Sequence, residues 1–566
     1  MLTSKAWSEN TLAHTALWVE KREEKRMTLK ERGRHFITKN GFCLFLFAAV
    51  LAFFLLAGRS GPVLFDDSGG YMQLRWGEGV MPVYPILLLL NQYIFGDGLY
   101  LWVVIVEQAL LAAFSVVFFE EALRRRFSFH WAEGILLAVL ALYPYTIEMP
   151  TAVMTQAVIT EGIAYSLFYI FLTLLLLAVW EKSYLRFTSA VCMTVLLAAV
   201  RSQLQILFGV CGIVFLYLIC CRSGKNAGWR RRIGCLFVGL VGCVTISLAG
   251  ILLVSGIVRG YRAMLRTEQV YMFALQVQQP EEYQSFLQER KEQERVQSAK
   301  TGEGALEEGQ VQTNTRTEEE LVNKDFTTSQ YLTLVFSRGM YEADPADAGL
   351  FQDEVLRGLY LALYEAVDAE QQRYVYAQEG LWMWKDIVGG IGKIGKICFR
   401  TPSEYYVEYA PEIIASENFS ETRSSHLRTV GMTLIKAHFG RFLYHTLMLL
   451  PQAFISTVFF QFAPLYLICH LVTAFLYLSA TVLMIWGYAD ARAKKEGAEM
   501  MALVLGTNVV MVFVISLVFF GQQRYLVYAF GPFYAAYYLL MRQLWIVRVR
   551  GFLREKLLSG RKNQDA

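Results

Sequence analysis

Apolar runs long enough to cross about 30 Å of hydrocarbon recur along this chain, and they constrain it more than any other feature. They are read at 41–58, 99–119, 133–149, 158–180, 186–200, 203–221, 233–257, 464–487, 499–520 and 524–545. Hydrocarbon offers an exposed backbone no hydrogen-bond partner, so a spanning segment must be a helix or part of a closed barrel. A barrel needs strands that alternate apolar and polar residues, and the run from Gly234 to Ile257 does not alternate. The expected fold class is mainly α: a polytopic membrane protein with about ten transmembrane helices, plus a mainly α extracytoplasmic domain.

Composition agrees with this. Hydrophobic residues make up 55% of the chain and charged residues 18%, away from the balance of a soluble domain. A net charge of +4 over 566 residues gives no reason to expect a nucleic-acid partner. Where the charges lie matters more, because Lys and Arg favour the cytoplasmic side. The N-terminal tail carries Lys21, Arg22, Lys25, Arg26, Lys30, Arg32, Arg34 and Lys39. With that tail inside, the ten-span reading also puts Arg124–Arg126, Lys182 with Arg186, Arg222–Arg232, Arg492–Lys495 and Arg548–Lys556 inside. The expected location is the plasma membrane, crossed many times, with both termini cytoplasmic. About forty mostly polar residues precede the first run, long for the charged region of a signal peptide, so that run reads as an uncleaved anchor.

The regions follow from the same pattern. Residues 1–40 form a basic cytoplasmic tail. Residues 41–257 form a seven-span module whose first outer loop covers 59–98. Residues 258–463 form the extracytoplasmic domain, with a polar, flexible linker near 281–325. Residues 464–566 form a three-span module and a second basic tail. In the outer domain Leu356, Leu359, Leu363 and Val367 recur at helical spacing. Residues 446–463 are read as a helix on or dipping into the outer face, bent near Pro451. The stretch Ile86–Phe95 is too short to span and is read as a juxtamembrane helix behind Pro85. Eight of the nine cysteines lie in or beside spans, and Cys398 stands alone in the outer domain, so no disulfide is expected within it.

The strongest chemical signal is Phe65-Asp66-Asp67-Ser68-Gly69-Gly70-Tyr71, followed by Met81-Pro82-Val83-Tyr84-Pro85. A carboxylate here can act as general base toward an acceptor hydroxyl or amine. Either carboxylate is also a ligand type for a divalent cation, although no cofactor is required by the sequence. The plain alternative is a hydrated acidic loop. Gly390-Ile391-Gly392-Lys393-Ile394-Gly395 fits a dinucleotide glycine pattern by spacing but follows no strand, and is read as chance. There is no nucleotide-binding P-loop or nucleophile elbow, so a cytosolic nucleotide donor is not supported.

The acidic motif with its proline pair resembles the GT-C class of polytopic glycosyltransferases, of the protein mannosyltransferase and aminoarabinose transferase type. Further matches follow in order: Thr160-Glu161 at the head of the fourth span, Ala199-Val200-Arg201 at the end of the fifth, His438-Phe439-Gly440-Arg441-Phe442, and Gln523-Arg524-Tyr525 at the head of the last. The last stretch but one departs from the family where it often has Pro after His. The similarity covers roughly 41–257 and 436–545 and leaves 258–435 unmatched. It implies transfer of a sugar from a polyprenyl-phosphate donor to a glycan, lipid or protein acceptor at the outer face. By motif position Asp67 is the catalytic base, with Asp66 next. Arg201, Arg524, Glu161, Tyr71, Tyr525 and His438 are the expected donor and phosphate-binding residues. Arginine suits that role because its planar fork matches phosphate oxygens, while its alternative is to snorkel to headgroups. Two other readings stay open: an envelope polysaccharide polymerase or ligase, and a non-enzymatic transporter or flippase component.

Overall fold

The computed structural model describes residues 29–65, 68–72, 81–146, 153–222, 229–265, 336–376, 383–415, 419–458, 466–490, 494–518 and 523–562, with a few isolated positions between 276 and 288. Among the described residues every long element is a helix, and the one extended pairing is a parallel bridge between Val63 and Ala157. The membrane portion runs α1 (Leu29–Ala57), α2 (Val83–Phe95), α3 (Tyr100–Phe127), α4 (Trp131–Leu142), α5 (Glu161–Glu181), α6 (Tyr184–Val200), α7 (Leu207–Arg222) and α8 (Trp229–Leu265). The segment between α8 and the closing helices contributes α9 (Glu354–Ala369), α10 (Met383–Tyr409), α11 (Phe419–Ala437) and α12 (Phe439–Ile455). The chain closes with α13 (Tyr466–Ala489), α14 (Glu496–Val518) and α15 (Phe530–Lys562).

Among the described residues, seven helices are long and apolar enough to cross a bilayer: α1, α3, α5, α7, α8, α13 and α14. The protein is thus a mainly α, multi-pass membrane protein. Three of the expected spans take other forms. Those at 133–149 and 186–200 are the shorter helices α4 and α6, with 12 and 17 residues. Pro144 sits in the 3-10 turn that ends α4, where its missing N–H forbids continuing the ladder. The run at 524–545 starts with a helical turn, Gln523–Leu526, and a 3-10 turn before α15. Apart from positions 284 and 288, the linker near 281–325 lies outside the described residues, as do residues 1–28.

Burial decides which helices form the centre. In α5, 89% of the apolar window is enclosed, against 17% in α8 and 11% in α13. An apolar helix covered all round belongs inside a bundle, and one bare on most faces belongs against lipid. The helices α7 and α8 approach closely because glycines line their contact. A Cβ on Gly250 would sit 2.3 Å from the Phe208 ring, and one on Gly242 would sit 2.1 Å from the Phe215 ring.

One end of the bundle gathers the basic clusters. Arg126 pairs with Glu496 at 2.7 Å and ties α3 to the head of α14. Arg542 pairs with Glu133 at 2.5 Å, and the Tyr538 hydroxyl donates to the same carboxylate at 2.7 Å, tying α15 to α4. Arg186 meets Glu181 at 2.5 Å across the α5–α6 turn.

The helices α9 to α12 form a further cluster. Asp353 caps α9 by accepting from the Leu356 N–H at 2.9 Å, and Leu359, Leu363 and Val367 are fully buried, as their spacing requires. The glycine run 390–395 lies inside α10, so it forms no phosphate-cradling turn. The helix α12 continues through Pro451, packs against α13 and α14, and buries Leu449, Ala453 and Ile455. It therefore enters the bundle rather than resting on its surface.

Two outcomes are expected from this packing. Gly250→Leu should destabilise the α7–α8 contact by about 1–3 kcal/mol, seen as a lower Tm of the detergent-purified protein. Among helices α9 to α12, His426 accepts or donates at 2.8 Å to the Tyr406 hydroxyl, and burial holds its pKa below the ordinary value, against a weaker pull from Asp353. A depressed histidine pKa means that the unfolded chain binds more protons, so this contribution is complete above about pH 6.5 and is lost as pH falls through the folded value. His426→Gln should flatten the fall in Tm between about pH 7 and about pH 5.

Candidate functional site

The chain leaving α1 is fastened before it reaches the acidic motif. The Val63 N–H donates to the Gln156 carbonyl at 2.9 Å, and the Val158 N–H donates to the Val63 carbonyl at 3.0 Å. The Gln156 amide donates to Ser60 Oγ at 2.9 Å and to the Gly61 carbonyl at 3.1 Å. Gly61 adopts φ +93°, and a Cβ there would press on the Trp102 ring at 3.1 Å, so the turn needs glycine twice over. Phe65 and Ser68 then bracket the acidic pair: the Ser68 N–H donates to the Phe65 carbonyl and the Phe65 N–H donates to Ser68 Oγ. Asp66 and Asp67 themselves lie outside the described residues.

The segment that holds this loop leads directly into α5, whose first residue is Glu161. Gln108 of α3, fully buried, donates to the Ala157 carbonyl at 3.3 Å and stands against Gly162 so closely that a Cβ there would lie 1.6 Å from its carbonyl oxygen. The head of α5 is thereby seated on α3. Thr160 Oγ1 donates to Glu161 Oε2 at 3.0 Å, and the other Glu161 oxygen pairs with the Arg201 guanidinium. Arg201 follows α6 in extended conformation, with φ −144° and ψ 122°, which turns its side chain away from the helix axis. The exposures are 3% for Glu161 and 10% for Arg201, so this is a buried ion pair.

Tyrosines surround it. The Arg201 guanidinium lies 5.1 Å from the Tyr525 ring centroid, a cation–π distance. Tyr71 and Tyr528 also lie within electrostatic reach of it. Tyr71 packs edge-on against Tyr84 at 5.5 Å, and Tyr84 is fully buried in the first turn of α2. The Pro82-Val83-Tyr84-Pro85 motif thus starts α2, with Pro82 as its cap, and delivers Tyr84 to the cluster. Glu107 accepts from the Asn91 amide at 2.9 Å, which fixes α2 to α3.

Four expected site residues, Tyr71, Glu161, Arg201 and Tyr525, are therefore brought together from four separate stretches of chain. Arg524 lies in the same short helix as Tyr525, but its side chain is outside the described residues. His438 is engaged differently: its Nε2 meets Asp347 Oδ2 at 2.8 Å, at the head of α12. Sequence reasoning missed Gln108 and Tyr528. A glutamine inside an apolar run was the available signal for Gln108, and nothing marked Tyr528.

Buried ion pairs are poor sources of stability, because desolvation offsets their attraction. Guanidinium has five N–H donors, and one carboxylate engages at most two or three of them. The arrangement suits a cation kept oriented by Glu161 and by aromatic faces for an anion that arrives at the helix ends. No protein-family model, no curated protein sequence and no solved structure matches this chain.

Removing one partner leaves an uncompensated buried charge, so Glu161→Gln or Arg201→Gln alone should cost about 3–5 kcal/mol. The double variant should cost clearly less than the sum of the two. A double-mutant cycle on Tm checks this; strict additivity would contradict direct pairing.

Proposed function

We propose that this chain is a GT-C-like inverting glycosyltransferase. It moves a sugar from a polyprenyl-phosphate-linked donor to a glycan, lipid or protein acceptor at the outer membrane face. In this reading the chain crosses the plasma membrane ten times with both termini cytoplasmic, and α4, α6 and α15 supply the three passes beyond the long apolar helices. The observation that carries the reading is the convergence of Tyr71, Glu161, Arg201 and Tyr525 at the end of the bundle where the Asp66-Asp67 loop is fastened.

The chemistry follows from the residue types. Asp67, or Asp66 beside it, takes the proton from the acceptor hydroxyl or amine. The acceptor atom attacks the anomeric carbon, the bond from that carbon to the phosphate oxygen breaks, and lipid phosphate leaves with the electron pair. One displacement inverts the anomeric centre. Arg201, with Arg524, offsets the charge gathering on the departing phosphate. Glu161 positions Arg201, and Tyr71 and Tyr525 wall the site. Polar groups inside the bundle give less support to transport. Tyr477 is paired with Thr457 and Asn508, Ser479 with Tyr537, and Tyr145 with Ser166, which suits interhelical contacts rather than an open path.

The test is sugar transfer from polyprenyl-phosphate donors in membranes holding matched amounts of wild type, Asp66→Asn and Asp67→Asn. Loss of transfer in Asp67→Asn, about 10²-fold or more, with expression unchanged, is the expected result. Loss only in Asp66→Asn moves the base by one residue. Full transfer by both variants contradicts the mechanism.

A further inference from the structure

We infer that the end of the bundle remote from the Glu161–Arg201 pair holds a second site, a zinc-class divalent-cation site built by Cys43 of α1 with Glu120 and Glu121 of α3. It is independent of the glycosyltransferase reading.

The ligand atoms of these three side chains lie within 4.8 Å of one another. Cys43 Sγ donates to Glu121 Oε2 at 2.9 Å. Glu120 supplies the independent sign of a ligand. It is fully buried, and neither of its oxygens has a hydrogen-bond partner. Its carboxylate is walled in by α4, since a Cβ on Gly134 would lie 2.7 Å from Glu120 Oε1 and 2.9 Å from the Phe42 ring. A buried carboxylate without donors is costly, and native structures rarely tolerate one without water, an ion or a functional reason. A cation between Cys43 and Glu121 gives it a partner.

The neighbouring arginines set the charge balance. Arg124 donates through Nε at 2.8 Å and through Nη2 at 2.5 Å to Glu121 Oε2, and Arg125 Nε donates to Oε1 at 2.6 Å. Arg124 Nη2 also lies 3.9 Å from Cys43 Sγ. When the cation binds, the Cys43 thiol proton leaves to solvent and a thiolate–metal bond forms. That proton had been donated to Glu121 Oε2, so its loss removes one of the hydrogen bonds this oxygen accepts and leaves the two from Arg124. Three anionic ligands around a doubly charged ion leave one excess negative charge, and Arg124 lies where it offsets it. One thiolate and two carboxylates select zinc-like ions over calcium or magnesium, which take oxygen ligands alone. Because a proton is released, affinity should fall as pH falls.

The experiment uses full-length protein, purified without a polyhistidine tag and stripped with chelator, titrated with Co2+. The expected result is one bound equivalent, with a thiolate-to-cobalt absorption band that Zn2+ abolishes. Cys43→Ser should remove the band and weaken binding at least about tenfold. Glu120→Gln should weaken binding and keep the band, and Cys192→Ser should change neither. Should the Cys43 and Glu120 variants fail to fold, wild type still decides: Zn2+ must raise its Tm and chelator must reverse the rise. No stoichiometric binding, no Tm response to Zn2+, or a band that survives Cys43→Ser overturns the site.

Discussion

A carboxylate and a guanidinium buried against each other at the head of the most enclosed helix organise the rest of this molecule. Glu161 cannot lie at the start of α5 as an unpaired charge without a large desolvation cost, so α6 must end where Arg201 reaches it. The extended backbone at Arg201 and the seating of Gly162 on Gln108 are consequences of that requirement. So is the position of Tyr525, whose ring covers the guanidinium. Charges this deeply placed in a membrane protein are usually kept for use rather than for stability.

The same region explains why the first loop has a fixed root. A single parallel bridge and one glutamine amide hold residues 60–63 to residues 156–158, and the loop departs from there toward the acidic pair. Positioning a loop by a few backbone hydrogen bonds on a rigid helical frame is how loops come to carry chemistry. The basic end of the bundle is built otherwise. There Arg126, Arg186 and Arg542 pair with carboxylates of neighbouring helices and tie those helices together.

Much of this was legible in the sequence, for identifiable reasons. The apolar runs read as ten spans, and seven of them are helices long and apolar enough to cross, because length and hydropathy suffice when lipid is the solvent. The runs at 133–149 and 186–200 also read as spans, but they form the shorter α4 and α6, and Pro144 in the turn after α4 marks where that helix stops. Side-of-membrane reasoning puts Asp67, Glu161, Arg201, His438 and Arg524 on one side, and the structure gathers Glu161 and Arg201 of these together with Tyr71 and Tyr525. Their mutual contact depends on the order in which helices pack, which spacing does not encode. His438 illustrates the difference: its flanking residues suggested the site, but the chain's packing at the head of α12 gives it to Asp347. The Cys43–Glu121 contact joins residues 78 apart on different helices and had no local signature.

The central claim is that Arg201 is held ready for a lipid-linked phosphate, and binding tests it most directly. Purified wild type would be compared with Arg201→Gln and with the charge-neutral double variant Glu161→Gln/Arg201→Gln, each offered a polyprenyl monophosphate or the uncharged polyprenol. The account requires wild type to bind the phosphate in preference to the alcohol, and both variants to lose that preference while remaining folded. Equal binding of the two lipids by wild type, or an undiminished preference in the folded double variant, would contradict it.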